Sequence, residues 1–270
     1  MPEGDTVFRS CAALHRALAG HRLTRAELRV PQHAAADLVG MTVLEVLARG
    51  KHQLTRLDAG LTLHTHLRMD GTWRIVRPGE RTPGPAHQIR ALLATAASTA
   101  VGLRLPVVEL LRTTDEHAVV GHLGPDLLGT EGAPGGWDEA EALRRLGSDP
   151  GRTLGEALLD QRNLAGIGTF YRAEICFLQG IHPRTPVGAV RDLPRVARRA
   201  RQLLQANITR ATQVTTGIDR RGQRAWVFER PGQPCWRCGT LIEVEEFGLF
   251  GQERLSYWCP GCQPTSTRTR

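Results

Sequence analysis

Loss of Met1 from the sequence Met1-Pro2-Glu3 leaves Pro2 as a free secondary amine. Inside a chain, proline has no N–H and no nucleophilicity. At a chain start it can attack an electrophilic carbon and go on to an iminium. An α-amine titrates near pH ~8, so a share of it is unprotonated at neutral pH. Glu3 sets a carboxylate beside it that can carry protons. Near the other end stand Cys235-x-x-Cys238 and Cys259-x-x-Cys262, with twenty residues between the pairs. Each knuckle turns two thiolates to one side, and two knuckles complete a tetrahedral zinc site. All four ligands come from protein, so the zinc is structural rather than catalytic.

Three further stretches carry chemistry of lower specificity. Residues 161–174, Gln-Arg-Asn-Leu-Ala-Gly-Ile-Gly-Thr-Phe-Tyr-Arg-Ala-Glu, hold Gly166 and Gly168 ahead of a helix. Glycines there let backbone N–H groups approach a phosphate, with Thr169 as helix cap and phosphate ligand. Arg49-Gly50-Lys51-His52 marks the tight end of a strand pair, and Met69 precedes the turn Asp70-Gly71. Beside Arg68, a methionine at a loop tip can wedge into a base stack. His64-x-His66 shares one strand face but has no third ligand nearby, so it is not read as a metal pair.

These residues need elements to hold them. Asp5 or Thr6 caps a first helix with Val7, Cys11, Leu14 and Leu18 on its apolar stripe and Gly20 as its stop. From Leu23 to Leu111 the pattern has period two. Ala26, Leu28 and Val30 alternate, as do Leu44, Val46 and Ala48, and Leu61 to Met69 alternate against Thr62, His64, His66 and Arg68. Asp58-Ala59-Gly60 is a hairpin turn, and later strands are expected at 72–76, 88–94 and 101–105. Many short strands define a β-sandwich or barrel. Gly124-Pro125 and the Gly/Pro-rich run 129–136 form a linker. Helical patterns follow at 137–146, after the capping box of Thr153 and Glu156, to Gln179 with Gly180 as stop, and after Asp192-Leu193-Pro194. The last of these carries the basic face of Arg195, Arg198, Arg199 and Arg201. Segments 240–245 and 254–258 read as two hairpin strands between the knuckles. The expected domains are 1–124, a linker 125–136, a helical domain 137–230, a zinc hairpin 231–264 and a disordered tail 265–270.

The 270-residue chain carries a formal charge of +8 with arginine far above lysine, the footprint of a nucleic-acid partner. Its Arg/Ala/Gly/Leu bias is also that of a high-GC genome. No apolar run approaches the ~20 residues of a membrane span. The polar start is unlike a signal peptide, and the expected compartment is the cytoplasm. There, cysteines serve as metal ligands or buried thiols rather than disulfides.

Taken in order, Met1-Pro2-Glu3-Gly4, Arg49-Gly50-Lys51, Met69-Asp70-Gly71, Leu164-Ala165-Gly166-Ile167-Gly168 and Tyr257-Trp258-Cys259-Pro260-Gly261-Cys262 resemble the formamidopyrimidine-DNA glycosylase/endonuclease VIII family, and Pro-Glu-Gly its endonuclease VIII branch. The resemblance implies an α+β fold: an N-terminal β-sandwich with a packed N-terminal helix, a C-terminal helical domain with a helix–two-turn–helix, and a zinc hairpin. It implies a DNA glycosylase and abasic-site lyase that excises oxidised bases, pyrimidines foremost, and cuts the strand. In that role Pro2 attacks C1′, Glu3 protonates the sugar ring oxygen, Lys51 contacts phosphate and assists as an acid, and Arg254 binds phosphate. Arg68 and Met69 match the segment that fills the hole left by an extruded nucleotide. Implied partners are double-stranded DNA with damaged or abasic sites, bound by a monomer, and one structural zinc.

The sequence departs from the family in four places. Thr6 stands where a second acid is common, Thr169 where asparagine is usual, and His122 where the branch tends to have an arginine ahead of Gly124-Pro125-Asp126. The hairpin has twenty residues between knuckles against the usual sixteen, lengthening a tip around 247–251. Thr6 and Thr169 support an alternative, a non-catalytic damaged-DNA binder on the same scaffold. Pro2, Glu3 and Lys51 argue for the enzyme.

Overall fold

The computed structural model describes residues 2–248 and 253–265. All but the first residue of the expected tail, and most of the hairpin tip, therefore lie outside the described residues. The chain divides between His122 and Leu123 into two compact units.

The first unit opens with α1 (Gly4–Leu18), whose Val7, Cys11, Leu14 and Leu18 are buried as its spacing requires. The helix starts earlier than either expected cap. Glu3 occupies the capping position with extended backbone, and Asp5 lies buried within the first turn. Two antiparallel four-stranded sheets follow. One has the order β1-β6-β7-β5, with β1 (Arg25–Leu28), β6 (Ile89–Ala94), β7 (Thr99–Leu103) and β5 (Thr72–Val76). The other has the order β2-β3-β4-β8, with β2 (Val43–Arg49), β3 (His52–Leu57), β4 (Leu61–His66) and β8 (Val107–Arg112). The main core joins α1 residues to Leu28, Val43, Val46, Leu57, Leu63, Leu93 and Val108 from the strands.

Leu44 does not point inward as its alternation suggests. A register shift between Val43 and Glu45 adds a residue to β2, so Val43 is buried and Leu44 is 56% exposed. The expected turn at Asp58-Ala59-Gly60 forms between β3 and β4, with Gly60 at φ +69. The face of the second sheet turned away from Gln53 and Leu63 is polar. There Arg56 bonds Glu45 and Glu116, and Glu116 also accepts from Thr62. A short helix, α2 (His117–Val120), closes this unit.

The second unit is helical, with α3 (Glu139–Leu146), α4 (Leu154–Leu159), α5 (Thr169–Gln179) and α6 (Leu193–Gln205), followed by the hairpin β9 (Glu243–Phe247) and β10 (Arg254–Trp258). Asp138 and Asp192 cap α3 and α6 by accepting from Glu141 and Arg195 backbone N–H groups. The Thr153 hydroxyl accepts from the Glu156 backbone at 3.4 Å and donates to its carboxylate at 2.6 Å. Gly180 ends α5 in the left-handed conformation. The stretch expected as a linker is packed into this unit. Leu127 is fully buried in its core, and Asp126 bridges Ala165 as a parallel strand pair. Apolar Leu127 outweighs the Gly/Pro composition around it. Among the described residues no helix is long and apolar enough to cross a membrane.

Candidate functional site

In the first unit, the N-terminus leads straight into α1, so residue 3 is as ordered as the helix it starts. The Glu3 carbonyl accepts the first helical bond from Val7 at 3.0 Å, and the Glu3 residue is fully buried. Pro2 immediately ahead of it stays partly exposed. A helix N-terminus favours a carboxylate at this place through its free N–H groups and its dipole.

Lys51 sits in the two-residue turn between β2 and β3. It is the only lysine in the sequence, against 34 arginines (35 Lys+Arg less this one). The composition alone held that signal. A chain that has arginine at every other Lys/Arg position retains here its one side-chain amine, a compact ammonium that can give up a proton where a guanidinium cannot. Gln53 anchors the strand that follows. It is 1% exposed, donates to the Ser10 hydroxyl of α1 at 3.0 Å, and accepts from Thr65 at 3.2 Å and Trp73 at 3.1 Å. One amide thus ties the start of β3 to the helix, to β4 and to β5. Cys11, beside it in the core, has its thiol pushed up to about 12 by burial and does no acid–base work near neutrality.

The polar face of the same sheet carries a histidine array. His52 and His66 are register partners on β3 and β4, and His64 pairs with Glu109 on β8. His52 Nδ1 lies 2.9 Å from His64 Nε2, and His64 Nδ1 lies 2.8 Å from Glu109 Oε2. His52 stacks on His64 and meets His66 and His122 edge-on at centroid distances of 5.0 and 6.1 Å. Burial pushes His52 down to about 3 and His66 to about 4, helped by the neighbouring rings, by Arg49 at His52, and by Lys51 and Arg68 at His66. His122, expected at the DNA surface, is exposed and belongs to this array.

Arg68 and Met69 form a tight turn after β4. Arg68 has φ +44, and its N–H donates to His66 Nδ1 at 2.9 Å. A non-glycine residue at positive φ is held there by its surroundings. A Cβ on Gly71 would lie 2.6 Å from the Leu67 carbonyl oxygen, so only glycine closes the turn. Met69 is 61% exposed at its tip.

In the second unit, the turn 161–168 is built around Gln161. Its side chain accepts from Gly166 N–H at 3.0 Å and donates to Leu159 and Ile167 carbonyls at 2.8 Å each. Gly166 has φ +115, as its glycine predicts. Its N–H is therefore engaged within the turn rather than offered outward. Thr169 is not the helix cap: Gly168 holds that position, and Thr169 is buried as the first residue of α5.

Two charged residues of α5 carry weight the sequence did not reveal. Arg172 is fully buried and donates to the Leu255 carbonyl of β10 at 2.7 Å. Glu174, also fully buried, accepts from the backbone N–H groups of Trp226, Val227 and Phe228 at 2.8, 3.0 and 3.0 Å and from the Thr215 hydroxyl. Burial raises its carboxyl above the usual range, against the pull of those four donors. Nothing in their spacing separated them from a solvated helix face. Ala173 and Phe177 of α5 pack with Cys235, Ile242, Tyr257 and Cys259. Arg254 stands exposed at the start of β10, opposite Phe247.

The four cysteines converge: Cys235, Cys238, Cys259 and Cys262 place all their sulfurs within 4.8 Å of one another. Measured separations are 3.4 Å for Cys238–Cys259, 3.5 Å for Cys238–Cys262 and 3.9 Å for Cys235–Cys262. Tetrahedral thiolates at ~2.3 Å from zinc stand about 3.8 Å apart. The set fits a metal ion without rearrangement.

Residues 1–104 match the formamidopyrimidine-DNA glycosylase N-terminal domain. The chain is 54% identical over 269 residues to the "Probable endonuclease 8 2" of Streptomyces coelicolor, covering 97% of this chain and 94% of that protein. It is 46% identical over 266 residues to the "DNA-(apurinic or apyrimidinic site) lyase Nei2" of Mycolicibacterium smegmatis, covering 98% and 100%. Its fold matches that of Lactococcus lactis formamidopyrimidine-DNA glycosylase, solved non-covalently bound to DNA containing an abasic site, with a TM-score of 0.80, 21% identity and coverage of 98% and 100%. The chain belongs to the formamidopyrimidine-DNA glycosylase/endonuclease VIII family. Within it, the relatives at 46–54% identity are named as endonuclease 8 and Nei2 proteins.

Proposed function

We propose that this protein is a bifunctional DNA glycosylase and abasic-site lyase of base excision repair, acting on oxidised bases and foremost on pyrimidines. The observation that carries the reading is the pairing, in one unit, of a buried Glu3 directly behind Pro2 with the only lysine of the chain in the turn between β2 and β3. The relatives named as endonuclease 8 and abasic-site lyase support it.

In this reading the Pro2 amine, freed of Met1, bonds to C1′ and the base departs with the electrons of the glycosidic bond. Glu3 protonates the ring oxygen as the sugar opens to the iminium. The iminium acidifies C2′, and β-elimination followed by δ-elimination releases the two phosphates. Lys51 contacts phosphate and serves as an acid. Arg254 takes a flanking phosphate as a charge-assisted contact, Gly168 and Thr169 a further one with Gly166 shaping their turn, and His122 adds a contact at the first unit's edge. Arg68 and Met69 fill the space of the extruded nucleotide. One zinc held by Cys235, Cys238, Cys259 and Cys262 folds the hairpin and takes no part in the reaction. Residues 1–124 form the catalytic domain, 137–230 the helical DNA-binding domain after the connecting segment 125–136, and 231–264 the zinc hairpin. The protein works as a monomer on double-stranded DNA, in the cytoplasm and nucleoid.

Borohydride treatment with duplex DNA containing an abasic site tests this. A covalent protein–DNA adduct is expected, along with strand cleavage in its absence. Tight binding with no adduct and no cleavage would replace the enzyme by a damaged-DNA binding protein.

A further inference from the structure

The histidine array has a direction. Glu109 can only accept when ionised, so His64 Nδ1 donates to it across 2.8 Å. With one proton on each ring, His64 Nε2 then accepts, and His52 Nδ1 donates to it across 2.9 Å. His52 Nε2 is left as a bare acceptor, on the residue next to Lys51. His66 is fixed oppositely. Its Nδ1 accepts from Arg68 N–H, which puts its own proton on Nε2. The chain Glu109–His64–His52 crosses three adjacent strands, β8, β4 and β3, on one face of the sheet. Its middle is closed and its outer end open: the His64 side chain is 4% exposed and that of Glu109 51%.

We propose that His52, His64 and Glu109 form a proton relay that carries protons from the Lys51 edge of the site to solvent during strand cleavage. The proposal rests on the lyase reading above. Elimination breaks the C2′–H bond as the phosphate leaves with its electron pair, and the base that takes this proton must pass it on. In the relay, His52 Nε2 binds the proton while His52 Nδ1–H passes to His64 Nε2. His64 Nδ1–H passes in turn to Glu109 Oε2, and Glu109 releases a proton to water. After DNA leaves, His52 Nε2 loses its proton to water and Glu109 takes one from water, so the shift back resets both rings with no net charge left on either. Such a route matters once DNA occupies the edge formed by Lys51 and Arg68 and closes it to solvent. The groups acting on His52 are Arg49 at the end of β2, His64 and His66 on β4 and His122 after α2, while Lys51 and Arg68 act on the neighbouring His66. Burial, with the charge of Arg49, keeps His52 neutral at rest, so it hands a proton on rather than holding it.

The test uses the full-length protein and duplex DNA with a preformed abasic site under single-turnover conditions. Glu109→Gln is a surface change that leaves the rings in place. His64→Ala opens a ring-sized gap beside His52. Both are expected to slow strand cleavage about tenfold, less than the loss of a directly positioned acid or base because water can partly replace the relay, with DNA affinity and borohydride adduct yield unchanged. Added imidazole should restore the rate in His64→Ala and leave the wild type unmoved. Nitrogen NMR should place the His52 proton on Nδ1. Unchanged rates in both variants would overturn the relay, as would a loss that follows DNA affinity or thermal stability and ignores imidazole. A wild type that forms no adduct and cuts no DNA would instead refute the lyase reading, and the relay with it.

Discussion

Among the described residues stand two clusters of four ligand-type side chains, and one of them can hold a metal. Cys235, Cys238, Cys259 and Cys262 come from two tight knuckles, and their sulfurs share a sphere small enough for one ion. His52, His64, His66 and His122 come from strands and a chain turn. The nitrogens of His52, His64 and His66 are turned to one another, to Glu109 and to backbone, rather than to a common centre. Ligand chemistry is therefore not enough. Convergence requires a backbone that bends around the site, and a flat sheet gives a row instead of a cage. A row suits proton transfer, and a cage suits architecture.

The sharpest way to break this contrast is Lys51→Arg, which keeps charge and removes the only side-chain amine. Strand cleavage should fall by about a hundredfold or more, while thermal stability stays as in the wild type. The variant also leaves the N-terminus as the sole amine, so any remaining borohydride adduct reports on Pro2 alone. A Lys51→Arg protein that cuts at the wild-type rate would remove the acid from the mechanism.

On the cysteine side, Cys259→Ser should lose the metal and lower affinity for abasic-site DNA by on the order of tenfold, the worth of one charged hydrogen bond. Arg254→Ala should do the same with the metal retained. The double variant should be little worse than the worse single one, since both remove one contact. Metal content and binding curves decide it. Full affinity in a zinc-free protein would end the argument, and additive losses would show that the hairpin does more than aim Arg254.

The smallest effect is on stability. His52 and His66 sit in the folded protein at about 3 and about 4, below the ordinary value of 6.5. The unfolded chain therefore binds more protons as the pH falls below 6.5. The stability these neutral rings contribute is complete above that value and is lost as the pH falls toward 3–4. Each ring accounts for up to about 1.4 kcal/mol per pH unit in this window. His52→Asn should flatten the fall between pH 6.5 and 4, read from urea midpoints at a series of pH values. An unchanged slope would mean that His52 is not the group that titrates.

What the sequence made legible follows from how local each signal is. The apolar stripe of the first helix, the turn at Asp58-Ala59-Gly60, the capping of α4 and α6 and the cysteine knuckles depend on neighbours within a few residues, and all stand as their spacing predicts, whereas the cap of the first helix falls on Glu3 rather than Asp5 or Thr6. Leu44 failed because a bulge is invisible in an alternating pattern. Thr169 failed as a cap because glycine can take the same backbone place. β8 was blurred into the end of a long period-two region, since Val107 to Leu111 lack the clean alternation of β4. Gln53, Arg172 and Glu174 were unreadable for a different reason. Each satisfies groups distant in sequence, and polar side chains that knit separate elements look like surface until the elements are brought together.

The link between α5 and the hairpin has a mechanical consequence. The helix begins at the Gly168–Thr169 turn, and its flank is bolted to β10 by Arg172 and packed against the cysteine module. It works as a caliper: the separation between that turn and Arg254 is set by helix pitch and one guanidinium bond, not by the loop joining the strands. Length can then vary at the far end of the hairpin without altering the gauge.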